Sequence, residues 1–287
     1  MGTYTVEALL KATGGSAFAK EFERAQNSVT SLSDVSSKLG DIGSSFQNVG
    51  KALTLGITAP VVAGVTAAVK SYADLEQAVG GIETLFKDSA SKVIKNSESA
   101  YERAGVSGVS YMEQVTSFSA TLLQGLGGDT EKAAGYADKA IVDMSDNANK
   151  FGTDIGMVQN AYQGFAKDNF TMLDNLKLGF GGTAGEMARL VNESGVMGDS
   201  FEATAENVKD IPYDQLIEAI HKTQEEMGVT GTTAKEASET VSGSFGAMKA
   251  AAENLLAGLG DSNADIETLM SNLGVTIGNF ATNIKGV

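Results

Sequence analysis

Cysteine is missing from this chain altogether. No disulfide framework, thiolate zinc site or thiol nucleophile can be built from it. Tryptophan is missing too, so the composition does not suggest a cleft for stacking sugar rings. Histidine occurs once, at His221. A Ser-His-Asp arrangement has only that imidazole to draw on, and a metal site of several His or Cys ligands is excluded. Its surroundings, Glu218 to Glu226 (EAIHKTQEE), predict a place on the surface or rim of a charged helix. Proline occurs twice, too seldom for Pro-rich linkers. Basic residues are outnumbered, 21 against 36 acids, for a net charge of −15. That removes the basic footprint needed for tight nucleic-acid binding. The acids are spread along the chain and read as a solubility feature.

Glycine, in contrast, is abundant, with 34 of 287 residues. Combined with so little proline, this predicts many breaks of a flexible kind, such as helix C-caps and turns. Aromatics make up only 7%, so small side chains must fill much of a thin core. The length allows one large or two small domains. Met1 to Lys11 lacks the basic and apolar regions of a signal peptide, which predicts synthesis in the cytoplasm without export by that route.

Apolar residues recur every three or four positions along most of the chain, the mark of amphipathic helices. The expected class is all-α, with at most one short strand near Thr3 to Glu7, arranged as an elongated helical bundle leading into a coiled-coil-like rod. Four regions are expected. Residues 1–50 hold the strand and polar helices. Residues 51–72 hold an apolar helical segment, 73–230 a helical core, and 231–287 a helix with a near-heptad seam.

Within the second region, Ala52 to Val69 carries no charge over 18 residues. A membrane-spanning helix needs about 17–25 apolar residues. The three Thr, two Gly and central Pro60 of this segment favour a buried hairpin or core helix instead. The membrane reading remains as its alternative, with contact through residues 52–69.

Further along, Ser110 with Glu113 suggests a capping box opening a helix on Tyr111. Asp129 and Thr153 are expected to cap the next two helices. Thr183 with Glu186 suggests another box, Pro212 a first helical turn, and Gly228 a helix stop. Thr233 with Glu236 would open the last long helix. Ala237, Val241, Phe245, Met248, Ala252, Leu255 and Leu259 follow at intervals of 4, 4, 3, 4, 3 and 4. That is close to a heptad seam, so Val241 to Leu259 is an expected self-association surface. The pattern resumes at Ile266, Leu269, Leu273 and Ile277.

Motifs that could carry chemistry are weak. Gly179 to Gly185 (GFGGTAG) lacks the Lys of a phosphate loop and a preceding hydrophobic strand. It reads as a tight turn before a helix capped at Thr183. Asp143 to Asp154 matches a calcium loop only in its first five positions, with Ala148 where the sharp turn needs Gly and Asp154 where Glu is usual. No catalytic, cofactor-binding or metal-ligating residue is assigned, and no cofactor is expected. Asn169, Phe170, Leu173, Asp174, Leu176, Gly179, Gly181, Gly182 and Thr183 form an expected structural motif, an ordered turn with Phe170, Met172, Leu173 and Leu176 buried.

Three contiguous blocks narrow the reading. They are Met144–Thr153 (MSDNANKFGT), Tyr162–Thr183 (YQGFAKDNFTMLDNLKLGFGGT) and Gly243–Asp261 (GSFGAMKAAAENLLAGLGD). Together with Leu53–Val62 (LTLGITAPVV) and a following polar helix containing Glu76, they resemble tail tape measure proteins of long-tailed phages and prophages, chiefly those of Gram-positive hosts. The resemblance covers roughly Gly50 to Asp261. It implies a structural protein, not an enzyme. Such a protein occupies the tail lumen, is coated by assembly chaperones, templates polymerisation of the tail tube protein, and leaves ahead of the DNA. Family members are usually much longer, so the chain corresponds to their amino-terminal region. Two other readings stand beside it: a membrane-active helical protein assisting DNA passage, and a tail-associated cell-wall hydrolase.

Overall fold

The structure is a computed structural model, and it describes residues 61–198, 200–261 and 263–285. The strand expected near Thr3, the polar helices before Leu53 and the first half of the apolar segment lie outside the described residues. Among the described residues there is no strand or sheet, and the fold is all-α.

The helices are α1 (Val61–Phe86), α2 (Ala90–Glu98), α3 (Ala100–Arg103), α4 (Gly108–Gly125), α5 (Thr130–Phe151) and α6 (Ile155–Phe165). They are followed by α7 (Ala184–Ser194), α8 (Tyr213–Glu226), α9 (Thr232–Glu239), α10 (Val241–Gly258) and α11 (Ile266–Lys285). Short 3-10 turns lie at Lys87–Ser89, Leu173–Leu176 and Val208–Asp210. The apolar run from Val61 continues as α1 into the charged sequence beyond Lys70. No described helix is long and apolar enough to cross a membrane.

The contacts divide the chain into two units. The smaller contains described residues 61–75 and 253–273, and the larger 76–252 and 274–285. Thus α9 and most of α10 belong to the same unit as α2 to α8.

In the larger unit α5 is the central element. It packs against α2, α4, α6, α8 and α9. The sequence explains why. Its first half buries Ala133, Ala134, Ala137 and Ala140, whose small side chains let neighbours approach. Its second half buries Asp143, Ser145, Asp146 and Asn147 alongside Met144. A helix that carries acids inward must find partners for them, and those partners come from α8, α9 and the 3-10 turn.

Side-chain caps fix several helix starts. Asp129 accepts from the Lys132 amide at 3.0 Å and opens α5, as expected. Two caps fall beside the expected residues. Helix α4 starts at Gly108, capped by Ser107, which accepts from the Ser110 amide at 3.4 Å. Helix α6 is capped by Asp154, which accepts from Met157 at 3.2 Å. The Thr153 amide is already donated to the Ala148 carbonyl at 3.1 Å, closing α5. Pro212 is the residue before α8 and not part of its first turn.

The continuous helix expected from Thr233 to Leu259 is two helices. Thr240 adopts an extended conformation, φ −119° and ψ 155°, between α9 and α10. Its hydroxyl accepts from the Gly243 amide at 3.0 Å and restarts the helix. Gly243 lies so close to the preceding helix that a Cβ there would sit 2.4 Å from the Glu236 carbonyl oxygen. Asn283 of α11 fastens this corner, donating to the Ser238 carbonyl at 3.2 Å and the Thr240 carbonyl at 3.0 Å.

In the smaller unit the turn between α10 and α11 is built on close approach. A Cβ on Gly260 would meet Cβ of Tyr72 at 2.4 Å. Asp265 caps α11, accepting from the Thr268 amide at 3.0 Å and its hydroxyl at 2.7 Å. Those bonds hold its carboxyl below the usual range.

Candidate functional site: a clasp and a buried polar layer

The Asn169–Thr183 segment folds into a clasp between α6 and α7. Asn169 Oδ1 accepts from the Thr171 amide at 3.1 Å and its hydroxyl at 2.7 Å, which bends the chain inward. Phe170 then packs beside Phe165, ring centroids 6.3 Å apart. Phe170, Leu173 and Leu176 are buried as expected, whereas Met172 is half-buried and Asp174 is exposed. The turn continues through Lys177, a non-glycine residue at φ 53°, whose Nζ donates to the Phe151 carbonyl at 3.0 Å.

The glycines have separate tasks. Gly179 has φ +87°, a conformation that disfavours any side chain. Its carbonyl accepts from Arg189 Nη2 at 2.9 Å. Gly181 donates its amide to Glu186 Oε2 at 3.1 Å. Gly182 passes so near that a Cβ would lie 2.2 Å from the Thr171 carbonyl oxygen. Thr183 caps α7, accepting from the Glu186 amide at 3.2 Å. Only half of the expected box forms: Thr183 caps the helix, but the Glu186 side chain reaches the Gly181 amide, and the Thr183 amide donates to the Gly181 carbonyl at 2.9 Å. Arg189 completes the clasp. It pairs with Glu186 at 2.7 Å and Glu193 at 3.0 Å, and its guanidinium lies 4.2 Å from the Phe180 ring centre. Bonds from Arg189 and then the Gly181 amide hold the Glu186 carboxyl below its usual range. The Gly181 amide, one of the backbone donors that a phosphate loop would offer, is occupied by the chain's own carboxylate.

The second feature is a polar layer buried between α5 and its neighbours. Asp146 is fully buried and caps a helix far along the chain: Oδ2 accepts from the Gly231 amide at 2.6 Å and Oδ1 from Thr233 at 2.8 Å. The start of α9, expected from a Thr233–Glu236 box, is thus supplied by a carboxylate of α5, and no local side chain caps it. Asn147 donates to the Leu176 carbonyl at 2.9 Å and joins α5 to the clasp. Nearer the start of α5, Asp138 receives both Nη atoms of Arg103, at 3.1 and 2.9 Å, and the Tyr111 hydroxyl at 2.7 Å. Lys139 pairs with Glu218 at 2.7 Å.

His221 lies in this layer. Its Nδ1 is 2.8 Å from Asp143 Oδ1, where an N–H donates to the carboxylate. The His221 side chain is 16% exposed and that of Asp143 only 1%. Burial pushes the Asp143 carboxyl up, while the bond to His221 opposes this. The same bond pushes the His221 imidazole up, against its own partial burial. A carboxylate orienting Nδ1 is the supporting half of a hydrolytic triad, which also requires a hydroxyl or thiol at Nε2. Here Nε2 faces Glu225 Oε1 at 3.5 Å. The arrangement holds two helices together. The first residues of the calcium-like stretch are helical through Phe151. Among the described residues no group of three or more His, Asp or Glu side chains is placed to hold a metal.

The expected seam is divided in its exposure. Met248, Leu255 and Leu259 are buried, Val241 and Ala252 half-buried, and Phe245 is 50% exposed beside Phe280, ring centroids 5.4 Å apart. Local sequence carried the clasp. It did not carry the capping role of Asp146 or the partner of His221. The only trace of these was a Ser-Asp-Asn run interrupting the apolar face of a helix. In comparisons with known proteins, no family model, curated protein or solved structure matches this chain.

Proposed function

We propose that this chain is a structural component of a phage or prophage tail, the amino-terminal part of a tape measure protein that occupies the tail lumen and templates assembly of the tube. One observation carries this reading beside the resemblance of the residue blocks. Two of those blocks, Met144–Thr153 and Tyr162–Thr183, are joined by the buried Asn147–Leu176 bond and the Lys177–Phe151 bond. Their polar residues serve backbone carbonyls and helix ends, the work of a scaffold. The strongly acidic balance, −15, suits a lumen protein that must not hold the DNA which follows it. The tail tube protein and the assembly chaperones are its proposed partners, and self-association is proposed for the exposed part of the seam.

The test is made on purified tails. Peptides of this chain should be found in intact, DNA-filled particles and be depleted after ejection is triggered. Their absence from intact tails would overturn the reading. Digestion of purified cell walls by the chain would replace it with an enzymatic one.

A further inference from the structure

The one histidine of the chain is placed against Asp143, a deeply buried carboxylate on α5, and the pair joins two elements that are remote in sequence. Asp143 and His221 are separated by 78 positions. Asp143 Oδ2 has no hydrogen-bond partner, so the charge of a carboxylate that is 1% exposed is balanced chiefly through Oδ1 and the imidazole. An ionised carboxylate in such a site is costly unless a cation is paired with it. Three residues beyond His221 on α8, Gln224 is fully buried with its Oε1 also unpartnered, and its Nε2 lies 3.5 Å from the Tyr162 hydroxyl. If the imidazolium loses its proton, the neutral ring can still donate to Oδ1, but the carboxylate has lost its paired cation and Oδ2 still has no donor among the described residues.

We propose that Asp143 and His221 form a proton-operated latch that pins α8 to α5. With one more proton on the pair than the bare carboxylate and neutral imidazole carry, an imidazolium faces a carboxylate and α8 is held. Loss of that proton leaves a buried carboxylate beside a neutral ring, and α8 is released more easily.

The charged surroundings of the latch support this. From α5, Lys139 lies near the pair but is engaged with Glu218, and Asp146 adds negative charge near Asp143. From α8 itself, Glu225 faces Nε2. From α6, Tyr162 faces the layer with its hydroxyl, which burial keeps protonated. On α4 the acid Glu113 is exposed, and on α7 Glu186, Arg189 and Glu193 pair with one another. The negative charges around His221 therefore favour its proton, and Lys139 opposes them only in part.

The direction follows from linkage. The folded-state value of His221 lies above its ordinary value of 6.5. The stabilisation is therefore complete below that ordinary value and is lost as the pH rises through the folded-state value. Asp143 acts in the same direction, because burial also favours a proton on its carboxyl.

The experiment uses the whole chain. With a single histidine, one imidazole Cε1–H resonance reports the latch. Its titration midpoint should lie above 6.5, and the melting temperature should fall as the pH passes through that midpoint. Each tenfold gain in proton affinity on folding corresponds to roughly 3–5 °C in a domain of this size. His221→Gln should remove this fall while leaving the remaining pH dependence intact. A midpoint at or below 6.5 in the unmodified chain, or an equal fall in His221→Gln, overturns the proposal. If the variant does not fold, the titration and melting profile of the unmodified chain decide.

Discussion

Asp146 on α5 closes the first turn of α9 at Gly231, at a distance of 2.6 Å and a separation of 85 residues. One carboxylate thus does for a remote helix what a serine or threonine ordinarily does for its own. Removing it leaves the Gly231 and Thr233 amides without their acceptor. Asp146→Ala is expected to cost about 2–3 kcal/mol, since both bonds are made to a charged group. Urea unfolding measures this, and an unchanged midpoint would show that the cap is dispensable.

Gly182 and Gly181 are adjacent yet differ in what surrounds them. A Cβ on Gly182 collides with the Thr171 carbonyl at 2.2 Å, whereas one on Gly181 makes ordinary contact with Glu186 Cγ at 3.5 Å. Gly182→Ala should therefore destabilise the larger unit by roughly 1–3 kcal/mol through forced displacement of the clasp. Gly181→Ala should stay within about 0.5 kcal/mol. Equal effects in thermal melts would contradict the close approach.

Leu173 is buried without residual exposure in the 3-10 turn of the clasp. Leu173→Ala is expected to cost roughly 2–5 kcal/mol, by lost transfer energy and the cavity left behind. Calorimetry is sufficient to check this. A melting temperature equal to that of the unmodified chain would refute burial at this position.

The seam makes two opposite forecasts. Phe245 is half exposed, so Phe245→Glu should leave the fold intact and abolish any concentration-dependent association seen by sedimentation velocity. Leu255 is 6% exposed, so Leu255→Glu should destabilise the chain itself by burying an unpaired charge. Loss of fold in Phe245→Glu, or association that persists in it, would remove the seam as an association surface.

What could be foreseen depended on how far apart the interacting residues lie. Thr183 and Glu186 are three positions apart, within reach of one another in any helix start, and their pairing was legible. So were the Phe170, Leu173 and Leu176 positions, because apolar residues inside a polar turn have few other places to go. Thr153 and Asp154 are both of capping type, and the sequence alone does not separate them; the structure gives the cap to Asp154. The break at Thr240 was hidden because the apolar spacing runs through it without interruption. What decides it is the approach of Gly243 to the backbone of Glu236, a contact between helices. The partners of Asp143 and Asp146 lie 78 to 87 residues away. No local pattern can name a partner at that distance.

The inward-facing acids of α5 also set an order of events during synthesis. When Asp143 and Asp146 leave the ribosome, His221 and Gly231 have not yet been added. At about 5–20 residues per second, 78 to 85 further positions take roughly 4–17 s. Through that interval α5 carries two carboxylates that have no protein partner and must stay hydrated. The central helix of the unit is therefore among the last to become dry, and nascent chains halted before Gly231 should expose it to protease.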